Sequence, residues 1–174
     1  VTNNSVDETG QRHRAYAWQA LNPAAHPLSD QSGLVYFQRL KDGLLPPQPI
    51  MQTIGWRLHA VAFGHLTLQL SPEEFLFHGA GLLHGGVIAT VLDSAMSGAA
   101  FSTMAQGEAC TTVQLNVHYV AAVHAGVGSL IIDGKVRQRG GQVITAEGSV
   151  QDGQGKLFAH ATCTCVVRKA KSVT

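Results

Sequence analysis

Charge is scarce in this chain. Only 13% of its 174 residues are Asp, Glu, Lys or Arg, and these nearly cancel to a formal net charge of +1. No field of one sign is available to a nucleic-acid backbone or an anionic lipid surface, so neither is expected as a partner. Aromatic residues make up only 6%, whereas 19 glycines allow the close backbone contacts of a compact α/β or α+β protein. Cysteine is limited to Cys110, Cys163 and Cys165. An odd count without framework spacing fits a reducing cytoplasm. Cys163 and Cys165, alternate residues of an expected strand, share a face and are badly placed to bond to each other. Residues Val1 to Arg14 are polar and lack the apolar run of a signal peptide, in line with a cytoplasmic location.

Several chemistries are missing as well. There is no G-x-S-x-G elbow, no H-E-x-x-H, no Walker A and no G-x-G-x-x-G after a strand; Gly153-Gln154-Gly155-Lys156 has neither the spacing nor the hydroxyl of a phosphate loop. The nine histidines are not set with Cys, Asp or Glu at metal-ligand spacing, so neither a metal nor another cofactor is expected.

What is present centres on Leu82 to Ser102, LLHGGVIATVLDSAMSGAAFS. After a His-Gly-Gly turn it is apolar on every side, and one ionisable group, Asp93, sits in the middle. A helix that is hydrophobic all round is buried in a protein core or a membrane. From Gly85 this one is shorter than the ~20 residues that a bilayer requires, and it carries an acid and several hydroxyls. A protein-wrapped helix is therefore expected, with a carboxylate placed where burial is costly.

The rest of the chain can be set around that helix. Gln11 to Ala20 has the pattern of a helix, interrupted by Pro23 and Pro27. Ser29 or Asp30 can cap a short amphipathic helix carrying Leu34, Phe37 and Leu40, ending near Gly43. Leu45 to Pro49 reads as an extended connector. From Trp56 the period is two: Arg57 to Phe63 pairs with Leu66 to Leu70 through Gly64. Beyond the helix come four strand-like runs, within Thr111–Tyr119, Ser129–Arg139, Gln142–Gln151 and Lys156–Val167, the last after a DGQG hairpin turn. Thr111, Val113, Leu115, Val117 and Tyr119 are expected on one face of the first run, and Thr112, Gln114, Asn116 and His118 on the other. The order specifies an α+β protein with an antiparallel sheet on a single central helix, in one domain over residues 31–170 with a peripheral extension over 1–30. Such a sheet leaves a face or an edge to be covered, which points to a homodimer.

Two features carry candidate chemistry. At His84-Gly85-Gly86 the entry to the helix exposes backbone N–H groups at a partial positive charge, able to polarise a carbonyl or hold an oxyanion. Alternatively, the glycines serve only close packing. Asp93 has Ala89, Thr90, Met96 and Ser97 at i±3 and i±4, so it lacks a basic partner on its helix. It is either a buried acid satisfied locally or a base facing a cavity with a raised pKa. Gly85 and Asp93 are eight residues apart, about 12 Å along the axis at 1.5 Å per residue. A carbonyl held at Gly85 is out of reach of a water activated by Asp93 of the same chain. Two antiparallel copies of the helix remove the difficulty, each Gly85 facing the partner's Asp93, with two composite sites per dimer. Thr112 and Asn116 form either a pocket wall or a solvated strand face, and His78 lies in the loop before the helix. Arg137 and Arg139, alternating on one strand face, are either ordinary surface charges or phosphate contacts.

At these residues the chain resembles the PaaI-like acyl-CoA thioesterases of the hotdog fold. The resemblance runs through Leu83-His84-Gly85-Gly86, Thr90 to Ala95, Thr111 to Tyr119 and His160 to Cys165, and spans roughly Leu34 to Val167. It implies a curved antiparallel sheet wrapped around one long helix, and dimers that often pair into tetramers. It also implies an acyl- or aryl-CoA thioester as substrate. Gly85 would offer its N–H to the thioester carbonyl, Asp93 of the other subunit would act as general base or nucleophile, and Thr112 would orient the carboxylate or water. His84, Gly86, Asn116, Arg137 and Arg139 are the residues expected to hold the substrate. Many relatives carry Asn six residues before the motif histidine; here that position is His78, bulkier and titratable near neutrality. A non-catalytic acyl-CoA binder or sensor on the same scaffold is the competing reading, disfavoured by an unpaired buried acid. A hydratase of this fold would carry an aspartate near His78, and none precedes it nearby.

Overall fold

A computed structural model describes residues 3–21 and 27–169. Pro23, expected to interrupt the chain, and Ala170, the expected end of the domain, lie outside the described residues. The elements are β1 (Asn3–Val6), β2 (Arg12–Ala15), α1 (Gly33–Lys41), α2 (Pro49–Ile54), β3 (Arg57–Ala62), β4 (His65–Leu70), α3 (Gly85–Ser102), β5 (Glu108–Tyr119), β6 (Leu130–Arg139), β7 (Val143–Asp152) and β8 (Leu157–Lys169). β3 to β8 form one antiparallel sheet in the order β3-β4-β6-β7-β8-β5. α3 is in contact with all six strands, so the expected α+β arrangement of a sheet on one central helix is the one observed.

The helix is held by near-total burial of Val91, Leu92, Ala95, Met96 and Ala99, none more than 1% exposed. Each large side chain removed from water in this way contributes on the order of 1.5–3 kcal/mol before conformational costs. The sheet approaches most closely at two glycines that face each other across β6 and β7, Gly134 and Gly148. A Cβ on Gly134 would stand 2.3 Å from the Ala95 backbone, and one on Gly148 would stand 2.9 Å from Met96 Cγ. At the other end of α3, Ser102 Oγ accepts from Gly64 N–H at 2.8 Å and donates to Ala99 O at 2.7 Å, which ties the β3–β4 turn to the helix.

The amino-terminal part departs from expectation. Residues 12–15 pair with 3–6 as a hairpin, where a helix was expected. Arg14 fixes it to the body: its guanidinium donates to Thr53 O and Gln52 O at the end of α2 and lies 3.9 Å from the Phe75 ring centroid. Those bonds satisfy carbonyls left open by the short helix, and an extended β2 presents the arginine to them. Leu28 is fully buried, so the chain enters the core ahead of the expected boundary at residue 30. α1 is capped by Ser32, whose hydroxyl accepts from Val35 N, and not by Ser29 or Asp30. Pro49 starts α2 at a position where its missing N–H costs nothing, an element absent from the sequence expectation.

Candidate active site

α3 carries both candidate groups. His84 is its N-cap, with Nδ1 accepting from Gly86 N at 2.9 Å, which places the ring proton of neutral His84 on Nε2. Gly86 leaves room for this contact: a Cβ there would stand 3.0 Å from His84 Nδ1, close enough to crowd the ring. The cap occupies the Gly86 N–H. Gly85, the first helical residue, has no intrahelical acceptor for its own N–H. An open hollow of about 350 Å³ lies beside it, lined by His78, Leu82, Gly85, Ile88 and Tyr119 among others. Tyr119 donates its hydroxyl to Gly85 O at 2.9 Å and lays its ring against the Gly85 Cα. Across the hollow His78 Nδ1 accepts from Ala80 N at 3.1 Å, and the ring stands 6.4 Å from that of His84, edge to face. The structure thus gathers His78, His84, Gly85 and Tyr119 at one end of α3.

Asp93 belongs to a different neighbourhood. It is the ninth residue of α3, about 12 Å further along at 1.5 Å per residue. The side chain is half-buried, and its Oδ1 is buried with no hydrogen-bond partner among the described residues. Burial raises its pKa above the ordinary carboxylate value; the Thr112 hydroxyl pulls the other way, and Cys165 adds to the rise. Thr112 stands opposite Cys165 across β5 and β8, with Oγ1 3.7 Å from Sγ. Cys110, Cys163 and Cys165 are all free. Donation to Cys165, with burial, holds the Cys110 and Cys163 thiols above their usual range, and those S–H groups draw Cys165 downward. Cys163 and Cys165 share the buried face, as the alternation predicts.

Two expected groupings do not occur, for the same reason. A bulge between Thr112 and Gln114 shifts the phase of β5 by one residue. Thr112 therefore faces α3 with Leu115 and Val117, whose cross-strand partners Cys163 and Ala161 are buried, while Val113 is pushed out to 58% exposure. Asn116, opposite Thr162, is exposed on the outer face together with Gln114 and His118, away from Thr112. A second bulge, between Val136 and Gln138, separates the two arginines. Arg139 stands opposite buried Ile144 and pairs with Glu108 at 2.9 Å; exposed Arg137 pairs with Glu147 at 2.9 Å. They do not share a face. Among the described residues no three His, Cys, Asp or Glu side chains are grouped as metal ligands would be, and no helix is long and apolar enough to cross a membrane.

A family model described as thioesterase superfamily matches residues 80–159, from the turn before α3 to the start of β8. A Saccharolobus solfataricus protein bearing an esterase name is 32% identical over 99 residues, covering 57% of this chain and 68% of that protein. The chain belongs to the thioesterase superfamily. The 1,4-dihydroxy-2-naphthoyl-CoA hydrolase of Listeria monocytogenes is 26% identical over 122 residues, covering 70% of this chain and 98% of that one. The solved structure of a phenylacetic acid degradation-related protein from Ralstonia eutropha JMP134 superposes with a TM-score of 0.69 at 28% identity, over 75% of this chain and 98% of that chain. The hotdog fold expected from the resemblance is the fold of this thioesterase.

Sequence reasoning gave no role to Tyr119 or to the thiols beside Asp93. Tyr119 closes an alternating strand and reads as one more apolar position, because its contact with Gly85 arises only where the end of β5 meets the start of α3. The signal for the thiols is present in part: Cys163 and Cys165 are in phase, as are Cys110 and Thr112, and the β5 bulge after Thr112 decides that this second pair faces α3 with the buried positions of β8.

Proposed function

We propose that this thioesterase hydrolyses acyl- or aryl-CoA thioesters in composite sites of a homodimer, with Gly85 of one protomer opposite Asp93 of its partner. The observation that carries this reading is the division of α3: among the described residues, an N–H at its first residue with no backbone acceptor, and about 12 Å on a carboxylate with an unpartnered buried oxygen. The Listeria relative supports a CoA ester as the substrate class. β5, at one edge of the sheet and bearing exposed Val113 and Tyr119, supports association with a second copy. Pairing of such dimers into tetramers remains part of the proposal.

In this mechanism the Gly85 N–H, at the positive end of α3, stabilises the oxyanion as the thioester carbonyl becomes tetrahedral. His84 holds the turn through its cap, and Tyr119 fixes the Gly85 peptide. Asp93, with its pKa raised by burial, either takes the proton of an attacking water or attacks the carbonyl itself, in which case loss of the thiolate leaves an anhydride that water then cleaves to release the acid and restore the carboxylate. Thr112 orients the carboxylate. CoA thiolate leaves, and no cofactor enters the reaction. His78 lines the approach to the carbonyl. Arg137 and Arg139 reach CoA phosphates only by exchanging Glu147 and Glu108 for them.

A thiol-release assay over short, medium, branched and aromatic CoA esters tests the reading. Hydrolysis of at least one class, reduced about 10²–10⁴-fold by Asp93→Asn, is the expected result. Binding of CoA esters without turnover would establish a sensor instead, and equal rates for wild type and variant would remove Asp93 from the chemistry.

A further inference from the structure

The β1–β2 hairpin lies outside the residues that the family model matches, yet it is joined to the candidate active site through three consecutive residues. Glu74, Phe75 and Leu76 form a single 3₁₀ turn ahead of α3, in which Leu76 N donates to Glu73 O at 2.9 Å. On the inner side of this turn Leu76 is buried, and its carbonyl accepts from His84 N at 3.0 Å. Phe77 bridges Leu83, and His78 N donates to Leu82 O at 2.9 Å. The 3₁₀ turn and His84 are thus the two arms of one tight loop, and that loop carries His78 to the wall of the hollow beside Gly85.

The outer side of the turn is held by the hairpin. Phe75 is 43% exposed, too open for burial alone to fix its ring. The Arg14 guanidinium lies 3.9 Å from the centroid of that ring, and its two terminal nitrogens donate to Thr53 O and Gln52 O at the end of α2. A cation over an aromatic face is attracted by the ring quadrupole, more strongly where water is excluded, and Arg14 Nε is buried. The carbonyl bonds fix the plane of the guanidinium, so Phe75 rests on a rigid support. The neighbouring contact is weaker: Arg12 and Glu74 pair at 2.6 Å, but their side chains are 70% and 67% exposed, and water screens such a pair. The direction of the Gly85 N–H depends on this support, because that N–H belongs to the peptide after His84, and the bond from His84 N to Leu76 O anchors the other end of the same residue.

We infer that Arg14 is a positioning residue of the thioesterase site: by clamping Phe75 against the end of α2, it holds the Leu76 carbonyl that orients His84, and with it the Gly85 N–H and His78. The inference rests on the thioesterase reading above and extends the site to a hairpin beyond the family match.

The test uses the CoA ester that wild type hydrolyses best. Phe75→Ala removes the ring at an exposed position and leaves the core untouched. Its kcat is expected to fall about tenfold or more, within the cost of a small displacement of catalytic groups. KM stays within about twofold, because no hairpin residue lines the hollow beside Gly85. Arg14→Ala shows the same loss, Phe75→Tyr, which keeps the aromatic face, restores wild-type kcat, and Arg12→Ala leaves kcat unchanged. Amide hydrogen exchange gives a readout independent of turnover: in Phe75→Ala the 76–86 segment exchanges at least tenfold faster, while α3 beyond Val91 is unaffected. Wild-type kcat in folded Phe75→Ala or Arg14→Ala overturns the inference, as does unaltered exchange over 76–86. A loss confined to KM overturns it as well, since the hairpin would then be a substrate contact. If wild type hydrolyses no ester, the thioesterase reading fails, and exchange alone decides the clamp: acceleration over 76–86 in both variants upholds it, and unaltered exchange in either overturns it.

Discussion

Thr112 and Cys165 face each other across β5 and β8 on the side that meets α3, with 3.7 Å between hydroxyl oxygen and sulfur. This pairing places Thr112 against Asp93, where its hydroxyl lowers a carboxylate pKa that burial raises. Thr112→Val removes the donor and keeps the shape. The Asp93 pKa then rises further, and because the base acts ionised, the acid limb of the kcat/KM profile moves to higher pH. The loss at neutral pH is expected to be about 10- to 100-fold, smaller above the shifted limb. A pH–rate profile checks this, and a uniform loss with an unmoved limb would show that Thr112 has only a packing role.

Asp93 also implies a pH-dependent cost to stability. A group whose folded pKa lies above its unfolded value favours the folded state most below the unfolded pKa, and the advantage is lost as pH rises through the folded pKa. For Asp93 the window opens near 3.8, its ordinary value, and extends upward to the raised folded value. Asp93→Asn carries no charge in either state. It is expected to melt above wild type at pH 7, with the difference narrowing towards pH 4, while hydrolysis is lost. Thermal melts at both pH values measure the difference; a variant less stable than wild type at pH 7 would indicate that the carboxylate is a structural partner.

The expectations that failed at this site share a physical cause. Alternating apolar and polar residues in β5 and β6 correctly indicated strands, but each strand contains one extra residue, which inverts the phase beyond it. Val113 follows the apolar alternation of Leu115 and Val117, yet is 58% exposed because the bulge turns it outward. A bulge residue leaves no compositional trace here, so Asn116 was grouped with Thr112, and Arg137 with Arg139. Helical spacing is more robust: the separation of Gly85 from Asp93 depends only on rise per residue, and α3 contains both without interruption. Tyr119 is illegible for another reason, since its role depends on where the end of β5 meets the start of α3.

The junction of sheet and helix gives a stability prediction independent of catalysis. Gly134→Ala would drive a methyl to 2.3 Å from the Ala95 backbone, which cannot yield as a side chain would. A loss of about 3 kcal/mol or more is expected from such overpacking. Gly153, with nothing within 4 Å of an added Cβ, is the control, and its alanine variant should stay within about 0.5 kcal/mol of wild type. Denaturant midpoints of the two variants measure the contrast, and equal midpoints would mean that the glycine pair does not set the helix–sheet distance.

Gly85 allows its N–H to be removed with little disturbance. Proline is well accepted at the first position of a helix, where its missing N–H was never part of the helical ladder. His84 has φ −63° and ψ 131°, a conformation suited to the residue before proline. A Cβ at position 85 would meet Tyr119 at 3.4 Å, ordinary contact. Gly85→Pro should therefore fold with a melting temperature near wild type and lose about 10²–10³ in kcat, the cost of one oxyanion donor. Gly86→Ala does the reverse: it crowds His84 Nδ1 and weakens the cap, reducing stability by about 1 kcal/mol. Full activity in a folded Gly85→Pro protein would place the oxyanion elsewhere.

The two lesions also test whether the site is shared. If each site draws Gly85 from one protomer and Asp93 from the other, a heterodimer of Gly85→Pro with Asp93→Asn contains one site with both lesions and one with neither. Random exchange makes half the dimers mixed, each with one of two sites intact, so activity should recover to about a quarter of wild type from two nearly inactive proteins. If both groups acted from one chain, every site in the mixture would carry a lesion and mixing would restore nothing. Differently tagged subunits, purified through both tags after exchange, isolate the heterodimer, whose activity should approach half of wild type per dimer. Persistent inactivity in that doubly tagged fraction would place Gly85 and Asp93 of the same protomer in one site and overturn the shared arrangement.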